Sequence, residues 1–319
     1  MPVESNTAVI LVNYCGASDT LACIDSLLAG TPPPAAILIT DNASPRQGGA
    51  ALATGLAARD LPVLRLTAAQ AETAQSSRDR AALVLIDNDR NAGFGAACNL
   101  AMRAVKRLFG DLNYWMLNND CTVAPDCLAQ LEATAIGQGP CALIGATMLL
   151  ADQPGHLQSR GGGRLWPWLA TERLLGYGQP DDDRLEAPQD RLDYITGGSL
   201  YLPAPVYRRI GGFDERFFLY LEDVDLSLRA RRAGIALIWC KPARVWHRYG
   251  ASTNRSSAFV DYHALYGSVL VARRYFPYRS PVSTLLLLTL KLVNRLRRGQ
   301  AERLPALMRA FWTAWRVRL

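Results

Sequence analysis

Short apolar runs alternate with segments of helical periodicity along the first 120 residues of the chain. Runs of strand length lie at residues 8–14, 35–41, 82–87 and 113–117, with a shorter apolar run at 61–66. Helical segments lie at about 18–29, near 47–58 and at 93–109. Strands that alternate with helices predict an α/β fold, in which a mainly parallel sheet is covered on both faces. The polar stretch 67–80 is expected to be a loop or an insertion.

Polar side chains follow each of the four predicted strands. The first strand ends at Asn13, the second runs into residues 40–44, the third into 87–99 and the fourth into 117–120. Ligands of such sheets bind beyond the carboxyl ends of the strands, so four polar ends predict a polar ligand such as a nucleotide. For any one of these residues taken alone, a helix cap or an Asx-turn is an equally good explanation.

Composition and charge narrow the class of protein. With 319 residues, 50% of them hydrophobic, the chain can bury the core of one large domain or of a domain with an appendage. The formal net charge is +7, but 11 of the 35 Lys and Arg residues lie in 273–319, where Glu302 is the sole acid. The positive charge therefore belongs to the C-terminal segment, and nucleic acid is not an expected partner.

The cysteines and the N-terminus indicate a cellular compartment. Seven cysteines are scattered along the chain without a CxxC pair, which predicts reduced thiols in a cytosolic setting. The first residues lack a basic segment followed by a long apolar stretch, so no signal peptide is expected.

Six motifs in order resemble those of the family 2 inverting glycosyltransferases, and their bacterial rhamnosyltransferase-like branch most of all. They are "LVNY", "TDNAS", "NAGFGAACN", "LNND", "GGFDERFFLYLEDVDLSLRARRAG" and "VWHRYGAST", between about residues 8 and 255. The resemblance implies a GT-A fold with a Rossmann-like, mainly parallel or mixed sheet. It also implies a catalytic domain over 1–255, with a nucleotide-binding half at about 1–120 and an acceptor-binding half at 121–255.

The resemblance implies roles for residues of the first half. Asp41 maps to the residue that contacts the nucleobase, and Asn13, Asn91 and Gly93 map to the nucleotide site. Asp120 is the last residue of the DxD-type motif and the expected ligand of Mg²⁺ or Mn²⁺, a cation that would neutralise the leaving diphosphate. Asn118 replaces the first aspartate of that motif. An amide binds metal weakly, so Asn118 is expected to contact the nucleotide instead.

The second half carries neighbouring carboxylates at the start of a predicted helix, 220–234. An inverting transfer needs a base for the acceptor hydroxyl, and the resemblance assigns that role to Asp223 and acceptor binding to Glu222. Asp225 has a structural explanation, because it forms an i,i+4 pair with Arg229 at a helix N-terminus. His247 is the expected second metal ligand, although a histidine next to a tryptophan is ordinarily a packed core residue.

The C-terminal region, 256–319, is predicted to be helical. Along 284–299, Lys291, Asn294, Arg295 and Arg298 are expected on one face, and on the opposite face Leu285, Leu288, Leu292 and Leu296. The apolar run is shorter than the ~20 residues of a bilayer span, so these helices are expected to lie in an anionic membrane interface. A helical pair docked on the protein or on a second subunit is the alternative, and an oligomer remains open.

The resemblance implies a metal-dependent inverting hexosyltransferase in bacterial cell-envelope polysaccharide synthesis, and the C-terminal pattern places it peripherally on the cytoplasmic face of the plasma membrane. By the branch resemblance the donor is dTDP-L-rhamnose and the acceptor a lipid-linked or polysaccharide glycan. A sugar nucleotidyltransferase is disfavoured, because "VNYCGASD" lacks a glycine-rich loop with a basic residue after the first strand. A catalytically silent nucleotide-sugar or glycan-binding protein is the remaining alternative, supported by Asn118. A glycoside hydrolase would act on glycans without any nucleotide.

Overall fold

The computed structural model describes residues 5–59, 61–75, 83–138, 141–182, 192–248 and 257–319. The first half contains strands β1 (Thr7–Asn13), β2 (Ala36–Asp41), β3 (Val63–Thr67), β4 (Leu83–Asp87) and β5 (Asn113–Asn118). Its helices are α1 (Ala17–Leu28), α2 (Arg46–Ala57), α3 (Ala68–Thr73) and α4 (Phe94–Phe109). The four predicted strands and three predicted helices are confirmed to within one residue at each end.

The strands of the first half form a parallel sheet in the order β3-β4-β2-β1-β5. All six residues of β2 are buried, because helices cover both faces of the sheet. Continuous apolar runs are typical of such strands. The carboxyl ends line up in register, with Asn13 opposite Asp41 and Val12 opposite Asn118. The α/β prediction is therefore confirmed.

The second half extends the same sheet with strands of both directions. Its elements are β6 (Cys121–Val123), α5 (Cys127–Gly137), β7 (Ala142–Leu150), β8 (Leu157–Arg160), β9 (Gly162–Trp166), β10 (Thr171–Leu174), β11 (Tyr194–Ile195), β12 (Ser199–Leu202), α6 (Ala204–Ile210), α7 (Glu222–Arg232) and β13 (Ala236–His247). Strand β12 lies antiparallel between β5 and β7, and β13 pairs in parallel with β7 and antiparallel with β6. Strand β8 also pairs antiparallel with β7, while β10, β9 and β11 form a small separate sheet.

The predicted loop at 67–80 is wrong over its first part, where α3 forms. The Thr67 hydroxyl accepts a hydrogen bond from the Gln70 backbone N–H at 3.2 Å, and the Gln70 side chain accepts one from the Thr67 N–H at 2.8 Å. This capping box satisfies free backbone donors at the helix start and stabilises a helix of only six residues. Residues 76–80 lie outside the described residues.

The C-terminal region is helical, as predicted, with α8 (Ala258–Tyr275), α9 (Ser280–Arg297) and α10 (Leu304–Arg316). Apolar side chains of α8 and α10 are buried together against Phe217, Leu221 and Val224, at the start of α7. Asp225 joins this packing. Its carboxylate accepts hydrogen bonds from Arg229 at 2.8 Å and from Arg274 and Tyr275 at 2.7 Å each. Asp225 therefore ties α7 to α8, which supports its structural interpretation.

Helix α9 is oriented differently from the prediction. Leu288 is buried and Leu292 packs against the same cluster, whereas Leu285 and Leu296 are exposed. Part of the basic face turns inward, because Arg295 donates to the buried carboxylate of Asp261 at 2.6 Å. Asn294 and Arg298 of that face are exposed. Among the described residues, no helix combines the length and apolar character that crossing a bilayer requires.

Candidate active site

A single large cleft opens at the carboxyl ends of the parallel strands. Its volume is about 1780 Å³, and residues of both halves and of α8 line it. Pockets for one small ligand are typically about 300–1,000 Å³, so this cleft has room for two substrates side by side.

The ends of β1 and β2 are joined by side-chain hydrogen bonds. Asn13 Nδ2 donates to Asp41 Oδ1 at 2.7 Å, and the Ser44 hydroxyl donates to the same oxygen at 2.6 Å. Asn13 Oδ1 accepts from the Thr20 hydroxyl at 2.9 Å. Asn119 Nδ2 donates to that hydroxyl at 2.8 Å, which links this network to the end of β5. Asn13 and Asp41 therefore lie together at the predicted edge of the sheet.

Asn42 organises the loop that carries Asn91 and Gly93. Its amide donates to Asn91 Oδ1 at 2.8 Å, and its carbonyl oxygen accepts from Asn88 Nδ2 at 3.0 Å. Gly93 has φ +88°, and a Cβ atom there would lie 2.2 Å from the Phe218 carbonyl oxygen. Only glycine fits this approach, which brings the start of α4 against the acceptor half.

Asp120 and His247 meet at the opposite end of the strand edge. His247 Nε2 lies 3.0 Å from Asp120 Oδ1 and 3.3 Å from Asn118 Nδ2, and both Asp120 and His247 are buried. His247 Nδ1 donates to Gln158 Oε1 at 2.7 Å. That hydrogen bond orients the imidazole so that Nε2 faces the Asp120 carboxylate.

These residues fit a divalent cation. Asp120, Cys121 and His247 each offer one ligand atom, all within 4.8 Å of one another. Burial raises the pKa of the Cys121 thiol, and the Asp120 charge raises it further, so the thiolate ligand is disfavoured. Asp120 and His247 then supply one oxygen and one nitrogen, a donor set that suits Mn²⁺ or Mg²⁺ once phosphate oxygens and water complete the coordination.

Asp223 lines the cleft on the side formed by the second half of the chain. Its Oδ2 accepts from the Gly197 N–H at 2.7 Å and its Oδ1 from the Val224 N–H at 2.8 Å. Burial raises the pKa of Asp223, while these two amides lower it in part. A carboxylate held in place with a raised pKa suits a general base.

Glu222 is more deeply placed than its neighbour. It is 6% exposed, and its Oε2 has no hydrogen-bond partner among the described residues. Burial raises the pKa of Glu222, and the Asp223 charge adds to the effect. Tyr220 and Leu221 both have φ +68°, a conformation rarely taken by residues other than glycine. Such strain often accompanies functional sites, and here it sets the entry of α7.

The turn before β12 connects the two ends of the cleft. The Gly198 carbonyl oxygen accepts from the Asn118 N–H at 3.0 Å, while the Gly197 N–H holds Asp223. One short glycine turn thus touches both the strand that leads to Asp120 and the candidate base.

The cleft residues that the sequence analysis missed include Gln158, Arg160 and Glu172. Glu172 is exposed to solvent, yet the protein around it in the cleft raises its pKa, the Asp223 charge adds to this, and Lys291 lowers it in part. For Gln158 one signal was available, namely a polar residue in a strand that is otherwise largely buried. The hairpins that carry Arg160 and Glu172 have no periodic pattern that points to a site.

Solved structures share this architecture. S. aureus TarS 1-349 in complex with UDP-GlcNAc aligns with a TM-score of 0.55 at 14% identity, over 97% of this chain and 81% of that one. The mannosyltransferase PcManGT of Pyrobaculum calidifontis, in complex with GDP-Man and Mn²⁺, aligns with a TM-score of 0.53 at 14% identity, over 99% and 77%. GalNAc-T7 with UDP, GalNAc and Mn²⁺ reaches 0.57 at 19% identity, over 84% and 47%. The chain has the GT-A fold of glycosyltransferases.

The family follows from the sequence match. The family model described as "Glycosyltransferase like family 2" matches residues 5–262, and the chain belongs to this family. N-acetylglucosaminyl-diphospho-decaprenol L-rhamnosyltransferase of Mycobacterium tuberculosis is 27% identical over 198 residues, 54% of this chain and 61% of that protein. Rhamnosyltransferase WbbL of Escherichia coli K12 is 34% identical over 65 residues, 20% of this chain and 24% of that protein. The chain therefore spans about three-fifths, or less, of the curated relatives it matches.

Proposed function

We propose that this chain is an inverting, metal-dependent hexosyltransferase that moves L-rhamnose from dTDP-L-rhamnose to a lipid-linked or polysaccharide acceptor. The observation that carries the proposal is the cleft in which one glycine turn contacts both the strand leading to Asp120 and the carboxylate of Asp223. The names of the mycobacterial and E. coli relatives support the sugar, and the mycobacterial name supports a lipid diphosphate acceptor.

The proposed reaction divides the cleft between the two substrates. Asn91, Gly93 and Asn118 line the cleft and would contact the nucleotide. The proposed nucleotide site also includes Asn13 and Asp41, which are buried at the adjoining strand ends. Asp120 and His247 would hold Mg²⁺ or Mn²⁺, which neutralises charge on the leaving diphosphate. Asp223 accepts the proton of an acceptor hydroxyl as its oxygen attacks the anomeric carbon, the bond to the diphosphate breaks, and the configuration inverts. Glu222 would bind the acceptor. The proposed catalytic domain is 1–255, with 256–319 as its helical attachment.

Donor turnover tests the proposal. A panel of nucleotide sugars is incubated with and without Mn²⁺ or Mg²⁺, and hydrolysis and transfer are measured. Asp120→Ala should lose cation-dependent donor binding in calorimetry. Asp223→Asn should keep donor binding but lose roughly 10²–10⁴-fold in transfer, because a general base typically contributes that much.

A matched control is Asp87→Asn. Asp87 also ends a parallel strand, but its carboxylate pairs with Arg65 at 2.6 Å, so transfer should be unchanged. Wild-type protein that binds nucleotide sugars yet neither hydrolyses nor transfers them would instead favour the silent binding protein. Near-normal transfer by Asp223→Asn would exclude Asp223 as the base.

The outer face of α9 supports a proposed position on the inner face of the plasma membrane. Six apolar side chains, each 39–69% exposed, follow one another at helical spacing: Val282, Leu285, Leu286, Leu290, Val293 and Leu296. Met308 and Trp312 of α10 are exposed as well. Arg297, Arg298, Arg316 and Arg318 are exposed near the ends of these helices and can contact anionic lipid headgroups.

Vesicle sedimentation tests this placement. Wild-type protein should bind vesicles that contain anionic lipid at low salt and bind less as salt rises, since each basic residue near the surface contributes about 1 kcal/mol. Leu285→Ser with Leu286→Ser should reduce binding. Ile136→Ser, at an exposed apolar residue of α5, should not. Equal binding of both variants, or none by the wild type, would remove the membrane assignment.

A further inference from the structure

Arg160, at the end of β8, brings a positive charge into the cleft without a counter-charge. A guanidinium N–H of Arg160 donates to Gln179 Oε1 at 3.1 Å, and the guanidinium carbon lies 6.0 Å from the centre of the Trp239 ring. Both partners are neutral. No carboxylate among the described residues forms an ion pair with Arg160. By contrast, the exposed Arg164 of the same cleft wall pairs with Asp193 at 3.0 Å.

The surroundings of Arg160 hold its side chain in place. The Arg160 N–H donates to the Leu175 carbonyl oxygen at 2.9 Å, which fixes the backbone. Gly176 has φ +80°, and a Cβ atom there would lie 3.1 Å from Arg160 Nε. The segment from Leu175 to Gln179 therefore packs closely against the guanidinium. A guanidinium held in this way loses little side-chain entropy when it binds an oxyanion through two N–H groups.

The chain on either side of Arg160 contacts both ends of the candidate site. Two residues before it, Gln158 accepts the hydrogen bond from His247. One residue after it, the Gly161 carbonyl oxygen accepts from the Thr196 N–H at 3.2 Å, and Thr196 adjoins the Gly197 amide that holds Asp223. Arg160 is therefore flanked along the chain by residues that connect to the proposed cation ligands on one side and to the proposed base on the other.

We propose that Arg160 is a diphosphate-binding residue of this cleft, an inference that rests on the proposed transfer reaction. Two substrates of that reaction carry the same chemical group, namely the nucleoside diphosphate of the donor and the diphosphate of a lipid-linked acceptor. The guanidinium supplies two parallel N–H donors and a permanent charge, which match phosphate oxygens in geometry and sign.

The experiment has one arm for each diphosphate. In the first, calorimetry measures binding of dTDP and of thymidine in the presence of Mn²⁺. In the second, KM is measured for a lipid diphosphate acceptor and for a phosphate-free alkyl glycoside of the same sugar. Arg160→Ala should weaken dTDP binding or raise the KM of the lipid diphosphate at least tenfold, whereas values for the phosphate-free partner stay within twofold. Weaker dTDP binding would show that Arg160 binds the donor diphosphate, and a higher KM for the lipid acceptor would show that it binds the acceptor diphosphate.

Two further variants keep the outcome interpretable. Arg160→Lys retains the charge but not the paired N–H donors. Its dTDP affinity or its KM for the lipid diphosphate should therefore fall between those of wild type and Arg160→Ala. This variant still tests the assignment if the alanine variant is poorly folded. Arg164→Ala removes the same charge from the same cleft wall and should change either value less than twofold. Folded Arg160 variants that match the wild type in both arms would overturn the assignment of Arg160 alone. Wild-type protein that neither binds dTDP nor transfers sugar would overturn the proposed function together with this inference.

Discussion

At the scale of single residues, the candidate base is tuned by its surroundings. Asp223 shares the cleft with Glu222, its neighbour on α7, and with Glu172 of β10, on which Lys291 of α9 also acts. Burial disfavours the ionised form of Asp223, and the Asp223 charge in turn raises the pKa of Glu222 and of Glu172. Because catalysis requires the ionised form, the pH at which activity appears reports this balance.

The pH profile of kcat/KM tests that balance. Activity should fall on acidification at a pH above the ordinary aspartate pKa of about 3.9, because the folded protein raises the pKa of Asp223. Asp223 ionises before Glu172, whose pKa the surrounding protein and the Asp223 charge raise to about 8, so Glu172→Gln should leave the acidic limb in place. Asp152→Asn, which removes an exposed surface charge, should leave the whole profile unchanged. An acidic limb that moves to lower pH in Glu172→Gln would show that Glu172 is already charged when Asp223 titrates, against this order of ionisation.

Gly93 allows a prediction about close packing. Gly93→Ala meets both an unfavourable φ and a contact with the Phe218 carbonyl oxygen, whereas Gly110→Ala, with φ +84° at the other end of α4, meets no atom within 4 Å. The Gly110 variant should lose about 1–3 kcal/mol of unfolding free energy from backbone strain. The Gly93 variant should lose more, and its donor affinity should fall as well. Denaturant unfolding and calorimetry compare the pair, and equal losses would contradict the importance of the close approach.

At the scale of elements, Arg295 of α9 points inward because it has an acidic partner on α8. Sequence periodicity cannot reveal that partner. Asp261 of α8 binds Arg295 at 2.6 Å and Arg303 at 2.8 Å, and Asp261 and Arg303 are both buried. Arg295 is neutralised inside, whereas Arg297 and Arg298 are exposed together with several leucines of the helix. The amphipathic pattern separates a basic face from an apolar face, but it does not show which of the two packs against the protein.

The buried ion pair of α8 and α9 can be tested by removing its acid. Asp261→Ala leaves two arginines without their carboxylate and should cost about 3–5 kcal/mol of unfolding free energy. Asp25→Ala breaks an exposed pair with Arg59 and should cost about 0–1 kcal/mol. Denaturant melts of the two variants give the comparison. A loss of less than 1 kcal/mol for Asp261→Ala would mean that the C-terminal helices do not depend on this pair.

At the scale of the whole molecule, the sequence predicted the donor side better than the acceptor side. Parallel strands align their carboxyl ends, so the strand pattern alone places Asn13, Asp41 and Asn118 along one edge. Gln158, Arg160 and Glu172 depend on the pairing of β8 with β7 and of β10 with β9, over distances along the chain that no local pattern encodes. The helix α3 was missed although the Thr67-to-Gln70 capping box is visible in the sequence.

The seven free thiols differ in exposure, which gives the protein two accessible sites for chemical labelling. Only Cys15 and Cys141 are exposed, and burial raises the pKa of Cys23, Cys98, Cys121, Cys127 and Cys240. The Cys15 N–H donates to the Ser44 hydroxyl at the proposed donor edge, whereas Cys141 precedes β7, at the opposite edge of the sheet. Maleimide followed by intact-mass measurement should therefore add two labels to the native protein. A bound nucleotide sugar should slow the labelling of Cys15 and leave Cys141 as the internal reference, and equal rates at Cys15 with and without donor would place the nucleotide elsewhere.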